Sequence, residues 1–123
     1  MTRKPVLLLL AVAIAVPFAV TPASGSSDPG ARASATKRVS VEDDRFSPSA
    51  ANVNRGDKVV WRWKGFNDHN VRFRKVPRNV KRPKGSAIQS SGRFARTFKK
   101  SGTFRYVCTI HEDIGMKGRV VVD

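Results

Sequence analysis

Tyr106-Val107-Cys108-Thr109-Ile110-His111-Glu112-Asp113-Ile114-Gly115-Met116-Lys117-Gly118 holds the only cysteine of the chain, one of its two histidines and its only methionine apart from Met1. A thiolate, an imidazole and a thioether on one short segment form a donor set suited to a soft metal ion. The other histidine stands far upstream, in Asp68-His69-Asn70-Val71. A fold that serves such a site must carry His69 to this segment, and the residue pattern between them narrows which fold that is.

Immediately before the segment, Phe104, Tyr106 and Cys108 alternate with polar or smaller neighbours. They therefore share one face of an extended strand, and Cys108 leaves the core side at the strand's end. After it, Gly118-Arg119-Val120-Val121-Val122 reads as the last strand. Working backwards, Arg93-Phe94-Ala95-Arg96-Thr97-Phe98 is a strand separated from the next by the turn Lys99-Lys100-Ser101-Gly102. The clearest strand is Lys58-Val59-Val60-Trp61-Arg62-Trp63, with Val59, Trp61 and Trp63 on the core face. His69, Val71 and Phe73 share a face of a further extended stretch, so His69 points the way core residues point. Val39 and Val41 alternate in a first strand that the turn Phe46-Ser47-Pro48 closes, and Asn52 and Val53 belong to a short second one. No stretch shows sustained helical periodicity. Several short strands with regular turns predict an all-β, antiparallel sandwich or barrel.

Residues 72–84 carry seven basic side chains together with Pro77 and Pro83. Prolines and repelling charges oppose both a helix and a central strand, so an exposed loop is expected there. Over the whole chain 24 Lys and Arg stand against 9 Asp and Glu, a net charge of +15. Such a balance speaks to partners and solubility, not to fold. Phe73 is the only aromatic within the basic stretch and no nucleic-acid-binding motif accompanies it, so no specific nucleic-acid partner is expected. An acidic docking surface on a partner protein, or an anionic cell envelope, accounts for the charge.

The N-terminus follows the order of a Sec-type signal peptide: Thr2-Arg3-Lys4, an apolar run over 6–20 interrupted by Pro17, then small and polar residues. The run falls short of the roughly 20 residues of a membrane span. Cleavage near 23–26 is expected, with an uncleaved anchor as the alternative. The reading is thus a signal peptide at 1–26, a flexible tether at 27–37 rich in Gly, Ala, Ser and Arg, and one domain at 38–123. A lone cysteine in an exported chain forms no internal disulfide, and metal ligation is one explanation for it.

Blue-copper electron transfer uses two imidazoles and one thiolate in a trigonal set with a weak, long axial thioether. His69, Cys108, His111 and Met116 supply that set with nothing left over. Further copper centres, as an oxidase needs, would call for histidines this chain lacks, so an enzyme is not expected. Zinc suits thiolate and imidazole too, but a thioether is a poor zinc ligand.

Residues 102–108 and 116–122 resemble the C-terminal ligand loop and last strand of the plastocyanin and pseudoazurin group of cupredoxins. Gly65-Phe66, His69-Asn70-Val71 and Gly56-Asp57-Lys58-Val59-Val60-Trp61 are similar to that family's upstream ligand segment and the strand before it. The resemblance implies a Greek-key β-sandwich of about seven to eight strands. It implies one type 1 copper ion held by His69, Cys108, His111 and Met116, and a monomer that carries single electrons to a redox protein. A copper-binding module that stores or delivers the metal is the alternative. Asn70 is placed to tie the two ligand loops together, unless it is a surface turn residue. Two departures stand out: Ile110 where the family often has proline, and Glu112-Asp113 directly after His111.

Overall fold

The computed structural model describes residues 32–123, with 13 and 15–18. The expected signal peptide and the first residues of the expected tether otherwise lie outside the described residues. Eight strands follow in order: β1 (Thr36–Glu42), β2 (Arg45–Ser47), β3 (Ala50–Val53), β4 (Asp57–Trp63), β5 (Arg72–Lys75), β6 (Arg93–Phe98), β7 (Gly102–Val107) and β8 (Lys117–Val122). A single turn of 3-10 helix, Glu112–Ile114, lies between the last two. One sheet runs in the order β2-β1-β4-β6 and the other β3-β8-β7-β5, and they enclose one apolar core as a β-sandwich.

The two-residue alternation predicts the buried faces well. In β4, Val59, Trp61 and Trp63 are buried while Lys58 and Arg62 are exposed. Trp61 lies at the centre of the core, at ring-centroid distances of 5.3 Å from Tyr106, 5.5 Å from Phe94 and 6.0 Å from Phe73. The contacts to Tyr106 and Phe73 are edge-to-face, the arrangement that ring quadrupoles favour. Tyr106 lies opposite Gly118, where a Cβ would come within 2.4 Å of the phenol ring, so only glycine lets the ring seat there.

Strand direction is where the antiparallel expectation needs correction. β1 pairs with β4 in parallel, Val39 opposite Trp61, and β3 pairs with β8 in parallel. Between β2 and β3 the chain passes from one sheet to the other, so β4 returns beside β1 running the same way. Burial alternation reports which face of a strand is covered and carries no information about the direction of its neighbour.

Two segments also differ locally from expectation. Phe46-Ser47, expected as a turn, lies in the three-residue strand β2, which pairs Phe46 with Val41 and is too short for periodicity to reveal. Arg72 to Lys75 form β5, so the extended stretch expected from His69 to Phe73 runs two residues further into the expected loop, while the rest of the basic stretch is irregular. Among the described residues β5 is an edge strand, paired with β7 alone. It buries Phe73 and turns Arg72, Arg74 and Lys75 outward, and charges are well tolerated on such an edge.

Asp57 anchors the start of β4. Its carboxylate accepts the N–H groups of Asn54 and Ala35, each at 2.8 Å, and pairs with Arg32. These bonds draw the segment before β1, the turn before β4 and the strand itself to one buried side chain.

Candidate metal centre

Cys108 stands one residue beyond the end of β7, and the chain that follows folds back on itself through five backbone hydrogen bonds. The Cys108 N–H donates to the Met116 carbonyl at 3.0 Å, His111 N–H to Cys108 at 3.3 Å and Met116 N–H to His111 at 3.1 Å. Ile114 N–H donates to His111 and Gly115 N–H to Glu112, with Gly115 in the left-handed region at φ 89°. None of these bonds is donated by Ile110, so the loop closes without the ring constraint that a proline there would add. The loop thus joins Cys108, His111 and Met116 through its own backbone.

His69 arrives from the other sequence segment, fixed on three sides. Its N–H and carbonyl form a two-bond bridge with Gln89, each at 3.0 Å, and its carbonyl also accepts the Trp63 indole N–H at 3.2 Å. The next residue locks the two segments together. The Asn70 side chain donates to the Thr109 hydroxyl at 3.0 Å and accepts the Thr109 N–H at 2.8 Å. Asn70 is buried and serves as the tie expected from the sequence, not as a surface turn residue.

The result is a compact triangle. His69 Nδ1 and His111 Nδ1 are 3.1 Å apart, and Cys108 Sγ lies 3.7 Å from the first and 3.6 Å from the second. The point equidistant from the three lies about 2.0 Å from each corner, the length of a metal–imidazole bond and a little short of a metal–thiolate bond of about 2.3 Å. A hydrogen bond between the two ring nitrogens would serve only two of these atoms, whereas one ion serves all three. Two imidazoles and a thiolate in a trigonal set are the donors of a blue-copper site. His69 and Cys108 are fully buried, and the His111 side chain keeps 21% of its surface exposed. Met116, the fourth expected ligand, is fully buried and bonded through its backbone to both loop members of the triangle.

Sequence reasoning missed the residues behind the imidazoles. His69 Nε2 lies 3.2 Å from Asp43 Oδ1, and His111 Nε2 lies 3.9 Å from Asp44 Oδ1. Both aspartates sit in the turn between β1 and β2, with Asp44 in the left-handed region at φ 66°. The Asn67 N–H foremost, then His69 and the Phe66 N–H, hold the Asp43 carboxyl below the usual carboxylate range. An acidic pair in a turn of a strongly basic chain was the available signal, but its spacing from either histidine carries none. Outside the triangle, Phe66, Ile110 and Ile114 are exposed on the same ligand-bearing loops, and Glu112 pairs with Arg74 of β5 at 2.8 Å.

Comparison with known proteins agrees with this geometry. The family of copper binding proteins described as plastocyanin/azurin matches residues 34–123. Amicyanin-alpha of Methylorubrum extorquens is 31% identical over 85 residues, covering 69% of this chain and 70% of its own. Plastocyanin of Prochlorothrix hollandica is 30% identical over 97 residues, covering 72% and 74%. Among solved structures, a reduced amicyanin variant superposes with a TM-score of 0.61 at 29% identity, over 72% of this chain and 82% of its own. A pseudoazurin from Sinorhizobium reaches a TM-score of 0.62 at 23% identity, over 72% and 74%, a likeness of fold.

Proposed function

The chain belongs to the plastocyanin/azurin family of copper-binding proteins, and from that premise we propose that it is an exported carrier of single electrons with one type 1 copper ion. Copper is the metal of this site, with His69, Cys108 and His111 gathered around one point. Copper bound there supplies a one-electron couple between Cu(I) and Cu(II). The observation that carries the proposal is the triangle of two Nδ1 atoms and one Sγ, held by backbone bonds on every side.

Each residue has a part. His69 and His111 give nitrogen donors acceptable to both oxidation states, and Cys108 gives the thiolate that couples the metal to β7. Met116 would supply the fourth donor, a weak thioether. The locks at Asn70, Gln89 and Trp63 keep the donors from rearranging when the charge on the metal changes. His111, with its exposed edge, is the port for the electron, and the apolar side chains of Phe66, Ile110 and Ile114 exclude water from a docked partner. The partner is a redox protein with an acidic docking surface, drawn by Arg72, Arg74 and Lys75 on β5, which Arg74 joins to the ligand loop through Glu112. The N-terminal 1–26 directs export, and the carrier works as a monomer.

Voltammetry of the copper-loaded domain separates this reading from storage or delivery. A carrier shows a reversible one-electron wave and keeps its metal beside a chelating acceptor. Loss of copper to the acceptor with no reversible wave would favour delivery. The burial of His69 and Cys108 supports retention, because release would require the locked loops to open.

A further inference from the structure

The Asp43 carboxylate reaches the back of the buried ligand histidine. Its Oδ1 lies 3.2 Å from His69 Nε2, while His69 Nδ1 faces the triangle. A neutral imidazole carries its proton on one nitrogen only, so a carboxylate acceptor at Nε2 selects the tautomer whose Nδ1 lone pair is free for a metal. The carboxylate is itself held in place. Oδ1 accepts the Asn67 N–H at 3.0 Å, and the Phe66 N–H is shared between the two oxygens at 3.1 and 3.2 Å. Gly65 makes room for it, since a Cβ there would stand 2.3 Å from Oδ1 and 2.8 Å from the Asp43 backbone nitrogen. The partner of Oδ1 is a ring with no exposed surface, and Asp43 keeps about a third of its own side chain exposed, so its charge acts on the site with only partial screening.

We propose that Asp43 is a positioning residue for the copper ligand His69: it fixes the Nε2–H tautomer, aims Nδ1 at the metal, and lends negative charge that favours Cu(II) over Cu(I). The proposal rests on the electron-carrier reading for its redox part and on this chain's own hydrogen bonds for the rest. A residue that only caps the 65–67 loop would behave differently. In Asp43→Asn the amide oxygen still accepts the Phe66 and Asn67 N–H groups, so the loop persists while the charge is lost. Asp44, 3.9 Å from His111 Nε2 and beyond hydrogen-bond reach, serves as the comparison.

Two measurements test this. In metal-free protein in weakly alkaline solution, nitrogen-15 NMR of the two imidazoles reads the tautomer directly. Wild-type His69 is expected as the Nε2–H form, with a mixture of tautomers in Asp43→Ala. In copper-loaded protein, Asp43→Asn is expected to shift the Cu(II)/Cu(I) equilibrium at least fivefold toward Cu(I), a midpoint potential higher by about 41 mV at 59 mV per tenfold. Asp44→Asn is expected to shift it less. A His69 tautomer unchanged in Asp43→Ala, or a shift below fivefold in Asp43→Asn, overturns the proposal. If Asp43→Ala does not fold, Gly65→Ala takes its place in the NMR measurement, because the added Cβ must displace the carboxylate. A wild-type protein that takes up no copper would overturn the carrier reading together with the redox part, and the tautomer measurement would still decide the contact.

Discussion

Replacing Met116 by Leu keeps the volume of a fully buried side chain while deleting its sulfur. If the thioether is the weak axial donor, the variant retains copper on the other three ligands and its potential rises by on the order of 60 mV, because a donor that supports Cu(II) has gone. An unchanged potential would make Met116 a core filler. Tyr106, the only tyrosine in the chain, has its phenol pushed up to about 12 by burial. The folded state then holds a proton that the unfolded chain releases near 10, so this group's contribution is complete below pH 10 and declines as pH rises from 10 towards 12. A spectrophotometric titration of tyrosinate, run beside a denaturation series, checks both halves of that statement. Of the residues that matter here, His69, Cys108 and His111 were legible because they are rare types with metal-donor chemistry. Asp43 and Asp44 were not, since carboxylates are common and their approach to the imidazoles depends on how the β1–β2 turn lies over the 65–67 loop.

The strands were legible wherever one face is covered and the other is not, as in β4, where alternation runs the length of the element, and over Phe104 to Tyr106 of β7. β2 escaped notice because three residues make no period, and the end of β5 at Arg74 and Lys75 because its outward charges resemble those of a loop. Both sit at sheet edges, where exposed backbone and charged side chains blur the pattern. Strand direction was illegible for a different reason, since parallel and antiparallel neighbours cover a face equally well. β5 nevertheless contributes Phe73 to the core, in contact with Trp61, Phe98 and Tyr106. Phe73→Ala is expected to cost about 3–5 kcal/mol of stability by leaving a cavity among these rings, measured by chemical denaturation of the metal-free domain. A loss below 1 kcal/mol would mean that the edge strand is not packed as described. Asp57 makes a second prediction for an element. The Ala35 and Asn54 N–H groups foremost hold its carboxyl below the usual range. Its contribution is therefore present above the unfolded value near 3.8 and lost as pH falls below it. Asp57→Asn should flatten the acid side of the stability profile.

At the scale of the molecule, the charge is uneven. Nine acids serve the whole chain, and Asp43, Asp44, Glu112 and Asp113 gather on the two loops beside the imidazoles, while the basic side chains of β5 begin next to them. Association with an acidic redox partner should slow as ionic strength rises, and neutralising Arg74, Lys75, Lys81 and Arg82 together should weaken that dependence without moving the potential. The sandwich and its metal site were legible from the sequence because strand alternation marks the core faces and the chain carries so few histidines and cysteines. How Trp63 and Gln89 fix the backbone of His69 was not, because neither residue type nor spacing marks them as its partners. All of these features converge on one claim, that His69, Cys108, His111 and Met116 make a blue-copper site. The optical spectrum of the copper-loaded protein tests it most directly. An intense thiolate-to-copper band that vanishes in Cys108→Ala is the predicted result, and a pale, ordinary Cu(II) spectrum unaffected by that substitution would contradict it.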